Sequence, residues 1–130
     1  MSKRVFQFLG RSLKSFLPDG SEMLVCAIIY YVLLHTMDFV STELCMAFVP
    51  GVMESNHLMR DPVTLKFVLS QGAVVKTIYT TIFVALPSLL VFLGTRSYQL
   101  ASLFWWYYGW KVSQIVFDNS MMLYEGFLNG

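Results

Sequence analysis

The chain has 130 residues, of which 56% are hydrophobic, 16% aromatic and only 13% charged. Soluble domains of this size expose much of their surface and carry about 25% charged residues, so nine basic and eight acidic side chains are too few to keep so apolar a fold in water. A formal net charge of +1 without a clustered basic face excludes nucleic acid as a partner, and the missing solvent is read as lipid.

Residues 1–20 carry Lys3, Arg4, Arg11 and Lys14, with no acid before Asp19. Val5, Phe6, Phe8, Leu9, Leu13, Phe16 and Leu17 fall roughly on one helical stripe. That pattern predicts a basic amphipathic helix lying in the lipid interface. The same composition suits a mitochondrial targeting segment, but the segment is expected to be retained as an anchor. Pro18, Asp19 and Gly20 break it, and Ser21 or Asp19 is placed to cap the next helix.

A first span is predicted over about residues 22–48, a length sufficient for a hydrocarbon core of about 30 Å. Its first half is apolar, and its second half admits His35, Asp38, Ser41, Thr42 and Glu43. Cys26 and Cys45 lie inside it and read as buried small hydrophobes rather than a disulfide or metal pair. Pro50 and Gly51 end the span. The connector over residues 50–71 is too polar to cross, and Asp61-Pro62 predicts a short surface helix from Pro62 to about Ser70.

A second span follows over about 72–93, with Lys76 one turn inside its start and Pro87 expected to kink it. Gly94-Thr95-Arg96-Ser97 reads as a tight turn. The third span runs over about 98–124 and carries Lys111, Gln114, Asp118 and the aromatic run from Trp105 to Trp110. That run could form a platform for a quinone or pigment. Its spread over nearly all helix faces favours packing and interface anchoring instead, and suggests protein on several sides. The predicted fold is therefore all-α, an integral membrane three-helix bundle with an N-terminal interfacial helix. Lysine and arginine bias puts the N-terminus on the cytoplasmic or matrix side.

This topology brings ionisable groups together. Asp38, Thr42, Glu43, Lys76, Lys111, Gln114 and Asp118 are expected at one depth, in the outer half of the bundle. His35, Asp38 and Thr42 follow i, i+3, i+7 spacing, as do Lys111, Gln114 and Asp118, which predicts one polar face per helix. Insertion of Asp or Lys at a helix centre costs roughly 2.5–3.5 kcal/mol, so these groups must find partners. Three roles suit such a cluster: acid–base glue for the bundle, a ligand, ion or proton site, or contact with another subunit. Metal binding is not expected. Glu54 and His57 share an E-x-x-H spacing, but a di-metal bundle needs two such motifs and further acids. No nucleotide loop, nucleophile elbow or paired cysteine motif is present, and no cofactor is expected.

Asp38-x-x-Ser41-Thr42, Glu54-x-Asn56, Leu58-Met59-Arg60 and Lys76 early in the next span together resemble a family of small bacterial membrane proteins of unknown function. Its members look like D-x-x-S/T on the first span, E-x-N-P-L-M-R in the loop and a lysine opening the second. The match covers roughly residues 30–80, with Asp118 and Asn119 as a further echo, and His57 stands where the pattern has proline. The resemblance implies a bacterial inner membrane, and the composition of the N-terminal segment keeps the mitochondrial inner membrane as the alternative. It also implies that Glu54 and Asn56 join the polar set, the loop folding back to cap it.

The expected function is a non-enzymatic structural or accessory subunit of a larger membrane complex. Its partners would be lipids and other membrane subunits, or further copies of itself. A small oligomeric transport or proton-relay protein using the Asp/Glu/Lys cluster is the second expectation. A small membrane enzyme acting on lipid or quinone is the third.

Overall fold

The computed structural model describes residues 20–54, 56 and 58–129, together with residues 3, 4 and 7. Lys3, Arg4 and Gln7 are helical, Lys3 and Arg4 exposed, and the rest of the expected interfacial helix lies outside the described residues. Three long helices follow: α1 over Glu22–Phe48, α2 over Leu69–Thr95 and α3 over Tyr98–Asn129. Among the described residues there is no strand beyond one isolated antiparallel bridge, Arg60 with Phe67.

Two helices, α1 and α2, are each 27 residues long and apolar enough to cross a membrane, with mean hydropathy 1.9 over the best stretch. At about 1.5 Å per residue each is about 40 Å long, and the 32-residue α3 about 48 Å. The third helix is long enough, but Lys111, Gln114, Asp118, Asn119 and Glu125 make it more polar.

The most extensive packing joins α1 to α3. On α1 the buried residues are Ala27, Tyr31, Leu34, Asp38, Ser41 and Cys45, alternating steps of four and three. On α3 two seven-residue rows answer them: Ser102, Gly109, Val116 and Leu123, and Trp105, Val112, Asn119 and Gly126, all buried or half-buried. That repeat is the seam of two helices packed knobs into holes. Small residues let the backbones close: a Cβ on Gly109 would stand 2.7 Å from Tyr30 Cε1, and one on Gly126 2.9 Å from Val49 Cγ2. Cys45 is buried in this seam whereas Cys26 is exposed, so the expectation of two buried cysteines holds for Cys45 only.

Near Pro87, where a kink was expected, the structure has a π-helical stretch, Thr81–Ala85, directly upstream. Proline lacks an N–H and its ring crowds the carbonyl four residues earlier, here that of Phe83, and a wider turn relieves both problems. Below this stretch α2 packs on α3: Trp105 Nε1 donates to Ser88 Oγ at 3.1 Å, and Ser88 Oγ donates to the Ala101 carbonyl at 2.7 Å. Above it, the Leu69–Thr80 half stands off from both neighbours, and side chains bridge the gap. The α2–α3 turn ends on Arg96 in the left-handed region, φ 56°, with its N–H on the Phe92 carbonyl at 2.7 Å. Ser97 Oγ then accepts the Leu100 N–H at 3.2 Å, which starts α3.

The predicted surface helix over Pro62 to Ser70 is replaced by a turn and a short hairpin. Asp61 Oδ1 accepts the N–H groups of Val63 and Thr64 at 2.7 and 3.1 Å, which supports a single turn. Leu65 then enters the left-handed region at φ 59°, and the chain pairs back with Phe67 beside Arg60: the Lys66 carbonyl accepts the Asp61 N–H and the Val68 N–H donates to the Met59 carbonyl, both at 2.9 Å. The chain becomes helical only at Leu69, three residues before the predicted start of the span. Phe67, 8% exposed, anchors the hairpin against Phe39 and the bare backbone of Gly72.

Candidate functional site

The seam places Asp38 where a coiled pair would put an apolar residue, and it is 6% exposed. Such a carboxylate must be satisfied locally. Lys76, projecting from the stand-off half of α2, forms an ion pair with Asp38 Oδ2. Asn119 Nδ2 lies 3.3 Å from Asp38 Oδ1 and Thr42 Oγ1 donates to the same oxygen at 3.4 Å. The Asn119 amide also reaches Ser41 Oγ at 3.1 Å and Thr42 Oγ1 at 3.2 Å, and its backbone carbonyl accepts the Cys45 thiol at 3.2 Å. The Lys76 ammonium lies over the Phe39 ring, 4.8 Å from its centroid.

Lys76 borders several cavities, and two of them collect the polar groups around the pair. The outer one, about 480 Å³, is lined by Asp38, Thr42, Glu54, Asn56, Lys76 and Asn119 together with four methionines. Glu54 Oε1 accepts the Asn56 N–H at 3.2 Å, and Arg60 Nη1 donates to the Glu54 carbonyl at 3.1 Å, so the connector is folded back over the cavity. The second cavity, about 290 Å³, lies between the three helices; Tyr31, His35, Lys76, Tyr79, Tyr108 and Lys111 contribute its polar side chains along with Asn56. Tyr31 OH is hydrogen-bonded to Thr80 Oγ1, and the His35 ring packs edge-on against Tyr31 at 4.3 Å. Both His35 ring nitrogens are buried and have no hydrogen-bond partner among the described residues.

Of the residues expected in one polar set, Asp38, Thr42, Glu54, Asn56 and Lys76 gather at the outer cavity, and Lys111 sits at the rim of the second. Lys111 lies over the Tyr107 ring at 5.0 Å rather than on a carboxylate. Glu43, Gln114 and Asp118 are exposed and line neither cavity. The expected inward face of α3, through Lys111, Gln114 and Asp118, is therefore corrected to Val112, Val116 and Asn119, one or two positions further along. His57 lies outside the described residues.

Asn119, expected only as a companion of Asp118, is the principal contribution of α3 to the pair. Its signal was the seven-residue row it shares with Trp105, Val112 and Gly126. His35 was recognised as part of the α1 polar face, but nothing in its spacing pointed to a second chamber. Chemically, the site offers a buried ion pair between a net acidic pocket, with Asp38 and Glu54, and one lined by two ammonium groups and no acid. Comparison with protein-family models, curated proteins and solved structures returns no match.

Proposed function

We propose that this chain is a three-span integral membrane protein serving as a non-enzymatic subunit of a larger membrane assembly. Support for the bilayer comes from an inverted distribution of polarity. Leu33, Val40, Ile78, Leu90, Leu103 and Phe117 are each more than half exposed, while Asp38, Ser41, Ser88 and Ser102 are buried. Such a molecule in water would expose far more apolar area than a soluble monomer tolerates. The resemblance to the small bacterial membrane family agrees with a bacterial inner membrane, and the lysine and arginine bias with an inward N-terminus.

The observation that carries the subunit reading is the open side of α3. Trp110 and Phe117 point away from the α1 seam, and Gln114 and Asp118 stand exposed among them. Polar side chains on an outward face within the apolar zone call for a protein neighbour, whether another subunit or a second copy. Gentle extraction in a mild detergent followed by size measurement should give a particle larger than one chain plus its micelle. Migration as a free monomer overturns this reading.

One observation favours a second reading, a small oligomeric transport or proton-relay protein. The Asp38–Lys76 pair stands between two cavities rather than in solid packing. Flux into proteoliposomes that Asp38→Asn abolishes, with assembly intact, would place this reading first.

A further inference from the structure

We propose that the α2/α3 face holds one acidic lipid, its anionic headgroup in the chamber edged by His35, Lys76 and Lys111 and its acyl chain in the groove below. The proposal rests on the membrane reading. The chamber's polar lining is rich in donors: two ammonium groups, three tyrosine hydroxyls, the Asn56 amide and an imidazole, with no carboxylate among them. Lys76 is compensated by Asp38, but among the described residues no carboxylate lies within 4.0 Å of the Lys111 ammonium. An imidazole keeps at least one N–H whatever its tautomer, so the buried, unpartnered ring of His35 leaves a donor for an incoming oxygen. Excess positive charge and unmatched donors at one place define an anion as the complementary ligand.

A second cavity indicates where that anion comes from. An apolar groove of about 480 Å³ runs between α2 and α3, lined by Val91, Leu100, Leu103, Phe104, Tyr107 and Tyr108. It shares Tyr108 with the headgroup chamber and includes Tyr107, the ring beneath Lys111. From Lys111 down to Leu103 is about 12 Å along the helix, roughly the reach of a ten-carbon run of acyl chain. Asn56 and Met59 of the connector cover the outer end of the chamber, while α2 stands off from α3 on the lateral side. Head outward and chain inward is also how a lipid of the outer leaflet would lie. A water-borne anion would have no use for the groove.

The test uses the full chain reconstituted in phosphatidylcholine bilayers. Its tryptophans, among them Trp105 and Trp106 on α3, report quenching by brominated acyl chains. Titration with dibrominated phosphatidic acid, against dibrominated phosphatidylcholine, measures the headgroup preference directly. The wild type should prefer phosphatidic acid by about tenfold. Lys111→Gln, at an exposed position whose side-chain partner among the described residues is Tyr107, should abolish most of that preference, and Lys111→Arg should keep it. Excess inorganic phosphate should leave the titration unchanged. Equal binding of the two lipids by the wild type, or a preference that survives Lys111→Gln, overturns the proposal. Competition by inorganic phosphate overturns the lipid as the source of the anion. A chain that stays soluble without detergent would instead refute the membrane reading before any titration.

Discussion

At the residue scale, the Asp38–Lys76 pair dominates. Each partner is nearly enclosed, at 8% and 17% side-chain exposure, so removing one leaves an uncompensated charge in a poorly solvated place. Asp38→Asn or Lys76→Met alone should cost about 3 kcal/mol of stability in detergent, and the double variant distinctly less than the sum. Thermal or denaturant unfolding of the three variants checks this, and strict additivity would contradict the pairing. Asp61 makes a different electrostatic statement in the connector. Backbone N–H groups of Thr64 and Val63 hold its carboxyl below the usual aspartate range. A depressed folded-state value means the turn is supported above the unfolded value of about 3.9 and loses that support as pH falls through the folded one. The amide resonances of Val63 and Thr64 should therefore titrate together, with a midpoint below about 3.9.

At the element scale, α1 was legible almost to the residue because an apolar run bounded by Asp19-Gly20 and Pro50-Gly51 leaves little freedom. The inward face of α3 was not. Polarity marked Lys111, Gln114 and Asp118, but close approach to α1 selects the packed face of α3, and the small residues Ser102, Gly109 and Gly126 turn Val112, Val116 and Asn119 inward instead. The connector misled because Asp61-Pro62 starts a helical turn, but Leu65 leaves it in the left-handed region and Phe67 pairs back beside Arg60 instead of continuing the helix.

The π-helical stretch Thr81–Ala85 offers an element-scale test. A deletion of Phe83 from it should restore ordinary α pitch and leave the Leu69–Thr80 half within about 20° of its present orientation relative to Leu86–Thr95, because five π residues turn the helix about as far as four α residues do. Lys76 would then stay on Asp38. Lys76→Met should consequently destabilise the deletion variant by about as much as the intact chain, measured by the same unfolding transitions.

At the scale of the whole molecule, composition alone announced a chain suited to lipid, and three helices in the expected order appear in the structure. What composition could not announce is the uneven spacing of the helices. Pairing of α1 with α3 follows from their small-residue repeat, whereas α2 touches α3 from the π-helical stretch onward and its Leu69–Thr80 half bridges to α1 through side chains. Both cavities occupy that upper opening, so the site exists because one half-helix is held at arm's length. On the membrane reading, the length of α3 has a further consequence. At about 48 Å it outruns a hydrocarbon slab of about 30 Å. Its final turns, with Tyr124, Glu125 and Phe127, then rise like a mast above the bilayer beside the Asp61 hairpin, giving any extramembranous neighbour a rigid post to grip.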